Sequence, residues 1–290
     1  MSKRPFEIVD VFAERKYGGN QLAVVRHAEG LSTEEMQQIA AEFHFSETTF
    51  LLSDTPVNGG YPVRIFTPAE ELPFAGHPSL GTAYVIRETL LGGKANEVTL
   101  TLKAGQVPVS FAEDGTVWMK QFPPVYGKVL EASLAAEALG LDISDIDERF
   151  PCQEVATGIP SIIVPLRTVE AVTRSRFQLA AFERMAAGCE SKALLAFAPG
   201  ALEEGHDLHA RVFVELLGIP EDPATGSAAG SLTAYLAKNE LFGGESFHLS
   251  LEQGYEIGRP SVLYLNAVRS GDAIEVRVGG KVIPFAAGTL

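Results

Sequence analysis

Gly218-Ile219-Pro220-Glu221-Asp222-Pro223-Ala224-Thr225-Gly226-Ser227-Ala228-Ala229-Gly230 reads as a loop feeding a helix. An acidic pair leads into a Pro turn, then a Thr-Gly-Ser step, then small residues that continue through Ala234-Tyr235-Leu236. The spacing places the helix start near Gly226-Ser227. The first N–H groups of a helix lack intrahelical partners and carry a partial positive charge, which suits a carboxylate. The side chains are small enough to let a bound molecule approach the backbone, and Asp222 stands just outside the helix start.

The same device occurs once more. Arg64-Ile65-Phe66 is echoed by Arg211-Val212-Phe213, each closing a strand. Gly76-His77 and Gly226-Ser227 then open helices of small and apolar residues, and Pro73 and Pro223 each lie three residues before the glycine. Gly19-Asn20-Gln21-Leu22 has a weaker counterpart in Gly158-Ile159-Pro160-Ser161. Neither helix has a polar face (Leu80, Ala83, Tyr84, Ile86; Leu232, Ala234, Tyr235, Leu236), so each is expected to be buried inside a β-rich lobe. Two such lobes would aim two helix starts at one cleft, a common setting for a small-ligand site.

Around these stretches the chain alternates strand and turn signals. Phe6–Phe12, Leu22–Val25, Tyr61–Thr67, Val98–Leu102, Val107–Phe111 and Val117–Gln121 read as strands. Ser32-x-x-Glu35 is a capping box that opens a helix running to Phe43. Pro78 suits the first position of its helix, where a missing N–H is no loss. The second half offers short helices near Ala132–Leu139 and Phe177–Ala187, strands at Glu154–Thr157, Ser161–Pro165, Lys192–Phe197 and Leu208–Phe213, and a β-rich tail. Pro123-Pro124 marks a boundary. The expected lobes are 1–123, joined by a C-terminal strand near 281–290, and 124–280, with the active site in the cleft between them.

The totals narrow the function. The 290 residues carry 23 Lys plus Arg against 37 Asp plus Glu, a net charge of −14, which disfavours a nucleic-acid or anionic-membrane binder. The polar start Met1-Ser2-Lys3-Arg4-Pro5-Phe6 is not a signal segment and no run approaches the ~20 apolar residues of a membrane span, so a cytoplasmic protein is expected. Cys152 and Cys189 form neither a disulfide framework nor a metal motif and are expected to be buried thiols.

Six motifs together resemble the PhzF (phenazine-biosynthesis-like) family along essentially the whole chain. They are Gly19-Asn20, Ser46-Glu47-Thr48, Phe66-Thr67-Pro68, Glu71-Leu72-Pro73-Phe74-Ala75-Gly76-His77-Pro78, Glu221-Asp222-Pro223-Ala224-Thr225-Gly226-Ser227-Ala228 and Gly258-Arg259-Pro260-Ser261. The resemblance implies an α+β, diaminopimelate-epimerase-like fold: two similar lobes, each a β-barrel-like antiparallel or mixed sheet around a buried central helix. It also implies a cofactor-independent isomerase, commonly a homodimer, acting on a small carboxylate such as dihydro-3-hydroxyanthranilate. An amino-acid epimerase activity and a non-catalytic carboxylate-binding protein are the alternatives.

Glu47 is the expected acid/base. Moving a proton between carbons needs one group that removes it and returns it elsewhere, and a carboxylate in a dry cleft can do both. In isolation Glu47 would read as a solvated strand-start acid; the Ser-Glu-Thr match changes that. His77 is expected to hydrogen-bond a substrate carboxylate or to relay protons as a group titrating near neutrality. Asp222 is expected to hold a substrate amine or hydroxyl. Ser227, with the backbone at Gly76 and Gly226, would hold the carboxylate, and Ser227 is also a good helix cap. Asn20 is a weaker candidate for substrate contact. Arg64 and Arg211 read as structural strand partners or rim charges, and Arg259 takes no catalytic part.

Rival chemistries fit less well. A two-thiol racemase needs cysteines in the motif positions, and Cys152 and Cys189 are elsewhere. Ser227, His77 and Asp222 have the residue types of a hydrolytic triad, but no Gly-x-Ser-x-Gly turn is present. Gly226-x-x-x-Gly230 is not a dinucleotide fingerprint, and no His, Cys or carboxylate cluster has metal-ligand spacing. His44-Phe45 before Ser46 and Val214-Glu215-Leu216-Leu217 after Phe213 depart from the family pattern, which points to a different pocket beside Glu47 and a different substrate.

Overall fold

The structure, a computed structural model, describes residues 3–271 and 273–290; Met1 and Ser2 of the polar start lie outside them. The chain divides into two compact units, Met1–Lys120 with Gly279–Leu290, and Gln121–Val278. Among the described residues there are six α-helices and eighteen β-strands, an α+β protein.

The first unit holds β1 (Pro5–Val11), β2 (Asn20–Val25), α1 (Thr33–Phe43), β3 (Glu47–Leu51), β4 (Tyr61–Phe66), β5 (Glu71–Leu72), α2 (Gly76–Leu90), β6 (Glu97–Leu102), β7 (Gly105–Phe111) and β8 (Val117–Lys120). Ser32 and Glu35 form the reciprocal capping box of α1, and His44 ends the helix in the left-handed region. Met36 and Ala40 of that helix pack with Val25, Phe50 and Phe66 in one apolar cluster.

In the second unit come β9 (Val125–Leu130), α3 (Ala132–Ala138), β10 (Cys152–Ala156), β11 (Pro160–Pro165), α4 (Val169–Arg174), α5 (Leu179–Met185), β12 (Leu194–Pro199), β13 (Leu208–Val214), β14 (Ile219–Asp222), α6 (Gly226–Lys238), β15 (Ser246–Gln253) and β16 (Ser261–Ser270). β17 (Ala273–Gly280) follows, and β18 (Val282–Thr289) belongs to the first unit. The short partner strands β5 and β14, the exposed strand β9 and the helix α4 have no counterpart in the sequence reading. Val125–Leu130 is mostly exposed, so it lacks the apolar alternation that marks a strand.

The pairing schemes of the two units coincide. β1 lies between β18 and β2, antiparallel to both, as β10 lies between β9 and β11. β2–β3 and β11–β12 are parallel, whereas β3–β4 and β12–β13 are antiparallel. β4 then takes β5 antiparallel and β6 parallel, as β13 takes β14 and β15. Registers agree as well: Phe66 faces Glu71 and Ile65 faces Leu72, while Phe213 faces Glu221 and Val212 faces Asp222. Each Arg of the echoed triplets closes a bidentate pair, Arg64 with Glu71 and Arg211 with Glu221, and lies over the ring two residues on.

α2 and α6 follow β5 and β14, and both are buried for most of their length. Hydrophobic on all sides, each packs against several strands of its own unit. A Cβ at Gly81 would stand 2.6 Å from Leu22 and 2.8 Å from Val11, so only glycine lets α2 come this close to β1 and β2.

Candidate active site

Glu47 opens β3, opposite Leu22 of the parallel strand β2. Its side chain is 16% exposed. As the first residue of a strand paired on both sides by β2 and β4, it is partly exposed while Thr48 to Leu51 are buried behind it. His77 is the second residue of α2 and is buried. Its Nε2 lies 3.4 Å from Oε2 of Glu47. The β-strand mouth and the helix start of this unit thus bring the acid and the imidazole together.

Burial pushes the His77 pKa down to about 3, although the backbone carbonyl of Gln21 accepts a hydrogen bond from the ring. His77 is therefore neutral near pH 7, which departs from the expectation of a group titrating there. Desolvation penalises the imidazolium more than one carbonyl can restore. With Nε2 turned to Glu47, the proton given to Gln21 is on Nδ1, and Nε2 offers a lone pair. Two acceptors at 3.4 Å do not make a hydrogen bond, so this contact closes only when a proton lies between Oε2 and Nε2. Asn20 is buried at the start of β2, opposite Val11 and next to Gln21 in the chain.

In the second unit Asp222 is the last residue of β14 and is 8% exposed. Thr225 is the N-cap residue of α6, and its hydroxyl donates to Asp222 Oδ2 at 2.5 Å and accepts no hydrogen bond from the helix N–H groups. Ser227, expected at the cap, is instead the second helical residue and half-buried. Likewise α2 starts at Gly76, so Pro78 occupies the third helical position. Neither helix has an acidic residue in its first turn or a side-chain cap, so Gly76, Gly226 and their successors present backbone N–H groups that no residue of their own first turn or cap satisfies.

Gln253, which the sequence reading did not reach, ends β15 beside this loop. Its Nε2 donates to the Asp222 carbonyl at 2.7 Å and to Thr225 Oγ1 at 3.0 Å, and its Oε1 accepts from the Thr225 N–H at 3.1 Å. A glutamine 28 residues beyond Thr225 carries no local sequence signal, because parallel pairing brings it there.

Other candidates fall outside these clusters. Cys152 is buried in the apolar core of the second unit, where burial pushes its thiol up to about 12, so it is no thiolate near neutral pH. Cys189 is half-buried and free, with its pKa also raised by burial. His44 serves as the C-cap of α1, and Glu215 lies exposed in a short turn. Among the described residues no helix is long and apolar enough to cross a membrane, and no group of three or more His, Cys, Asp or Glu is placed to hold a metal ion.

The family model for phenazine biosynthesis-like proteins, PhzC-PhzF, matches residues 9–288. Trans-2,3-dihydro-3-hydroxyanthranilate isomerase of Pseudomonas aeruginosa is 34% identical, with 98% of each sequence covered. The crystal structure of a Bacillus anthracis phenazine biosynthesis protein of the PhzF family superposes with a TM-score of 0.91 at 27% identity, covering 100% of this chain and 99% of that one. A probable proline racemase from Agrobacterium radiobacter shares the fold, at a TM-score of 0.63 and 11% identity over 99% of this chain and 92% of that one.

Proposed function

The chain belongs to the PhzC-PhzF family of phenazine biosynthesis-like proteins and is an isomerase, and on that premise we propose that it shifts a proton between carbons of a small carboxylate-bearing substrate, with Glu47 as the acid/base. The observation that carries this reading is the placement of Glu47 Oε2 against Nε2 of a neutral, buried His77. The substrate class we propose is a cyclic amino or hydroxy acid like dihydro-3-hydroxyanthranilate, on which the relative from Pseudomonas aeruginosa acts by its name.

Glu47 as carboxylate takes a proton from a C–H bond activated by the neighbouring unsaturation. The electron pair of that bond moves into the substrate's double-bond system, and Glu47, whose acidic proton exchanges with solvent while it is held, returns a proton to a second carbon. No electrons are gained or lost, and Glu47 ends ionised as it began. While Glu47 holds the proton, the lone pair on His77 Nε2 accepts a hydrogen bond from it. That favours the protonated acid without taking the proton to imidazolium, because burial disfavours the charged ring. General acid/base help of this kind contributes roughly 10²–10⁴-fold.

In the second unit Asp222 is the group for the substrate's ammonium or hydroxyl, and Ser227 with the N–H groups following Gly226 the group for a carboxylate; in the first unit the N–H groups following Gly76 offer the same chemistry. Asn20 contributes a further polar contact. Incubation of the protein with a panel of cyclic amino and hydroxy acids in heavy water tests the reading. Deuterium entering a carbon position of one of them supports it. Saturable binding with no exchange across the panel would instead mark a protein that only binds carboxylates.

A further inference from the structure

Because the two units share strand order, pairing direction and register, each provides a control for the other. Asp222 corresponds to Leu72, since Val212 faces Asp222 as Ile65 faces Leu72. Thr225, three residues on at the helix cap, corresponds to Ala75, the cap residue of α2. Leu208 faces Leu251 as Tyr61 faces Leu100, which makes Gln253 the counterpart of Leu102. One unit thus builds this junction from Leu, Ala and Leu, and the other from Asp, Thr and Gln.

We propose that Gln253 and Thr225 are positioning residues that fix the Asp222 carboxylate for substrate, an inference that rests on the reading of Asp222 given above. The fold itself does not require the polar set, since the first unit closes the same strand–helix junction with apolar side chains. The polar set appears where an acid has to be held. Its hydrogen bonds have one direction only. The Gln253 amide N–H groups can only donate, so Thr225 Oγ1 accepts from one of them and must turn its own proton to Asp222 Oδ2. The second N–H takes the Asp222 carbonyl, and Oε1 takes the Thr225 N–H, so all three of these Gln253 contacts converge on the Asp222–Thr225 turn.

The backbone beside Gln253 closes on the same turn. Gly254 has φ +79, and a Cβ there would stand 2.5 Å from the carbonyl oxygens of Pro223 and Arg259. Strand β15 therefore meets Pro223 backbone to backbone. Gln253 is fully buried, which makes each of these polar contacts costly to lose.

Four single substitutions, one double variant and one exchange measurement test this. Gln253→Leu installs the residue the first unit uses, and Thr225→Val keeps shape but removes the hydroxyl, whereas Thr225→Ser keeps the hydroxyl. On the panel acid that the wild type turns over, Gln253→Leu and Thr225→Val are expected to lose roughly tenfold to a hundredfold in kcat/KM with a raised KM. Thr225→Ser is expected to stay within about threefold of the wild type. In an Asp222→Ala background, Gln253→Leu should add no further loss, because nothing remains to be positioned. Wild-type kcat and KM in Gln253→Leu and Thr225→Val, or full additivity with Asp222→Ala, would overturn the inference. Amide hydrogen exchange at Thr225 decides independently of turnover. At least tenfold faster exchange in folded Gln253→Leu supports it, and unchanged exchange overturns it. A wild type that is silent on the whole panel counts against the functional reading, while the exchange result still stands for or against the positioning role.

Discussion

His77 presents the lone pair of Nε2 to Oε2 of Glu47 at 3.4 Å, with its other ring nitrogen committed to the Gln21 carbonyl. The pair has room for one proton. Both partners come from one unit, one from a strand mouth and one from a helix start, so their spacing is set by how α2 seats on β2 and β3.

A buried imidazole at about 3 makes a direct spectroscopic prediction. The 15N shifts of His77 should show the neutral Nδ1–H tautomer throughout pH 5–8, and a midpoint near the ordinary 6.5 would contradict this. The sign for stability follows. The folded pKa is depressed below the unfolded one, so the contribution is fully present above about 6.5 and is lost as pH falls toward about 3. His77→Gln should flatten that acid limb in urea midpoints measured across pH 3–7.

His209 behaves in the opposite sense. It is buried, which opposes its charge, yet Glu252 at 3.0 Å and Glu256 at 2.8 Å outweigh burial and raise its pKa to about 9. Its contribution is complete below about 6.5 and is lost as pH rises through about 9. His209→Ala removes the imidazolium between Glu252 and Glu256, while Glu252 keeps the Leu202 and Glu203 N–H groups and the His206 ring, so the expected cost at pH 7 is about 1–3 kcal/mol. Equal urea midpoints for variant and wild type at pH 7 would contradict the assignment.

The duplicated Arg–Glu pairs give a burial series within one molecule. Arg211 and Glu221 are 8% and 7% exposed, against 25% and 23% for Arg64 and Glu71. Arg211→Met should cost about 3–5 kcal/mol, because it leaves Glu221 charged and buried. Arg64→Met should cost about 1 kcal/mol, since water still reaches its pair. Equal losses in chemical denaturation would mean that burial does not set the difference.

Much of the architecture was legible because the duplication repeats residues with little freedom. Arg-x-Phe at a strand end, a proline three residues before a helix glycine, and helices without a polar face fix the same local geometry twice. The Ser32–Glu35 cap was legible for the same reason, since its partners are neighbours in the chain. Glu47 and His77 were legible through motif resemblance, but their contact was not, because strand pairing and helix seating bring them together across 30 residues. Burial was equally hidden, and burial is what removes His77 from neutral titration. On sequence Thr225 and Ser227 are equally good caps for a helix starting near Gly226. Only the position of Gln253 shows why the Thr225 hydroxyl turns to Asp222.

The central claim is that Glu47 carries the proton. Glu47→Gln keeps the size and polarity of the side chain and removes its capacity to take a proton. On a substrate into which the wild type introduces deuterium from heavy water, Glu47→Gln is expected to lose at least about 10²-fold in the rate of incorporation while binding that substrate with a similar Kd. Incorporation at the wild-type rate in the Glu47→Gln protein would contradict the account.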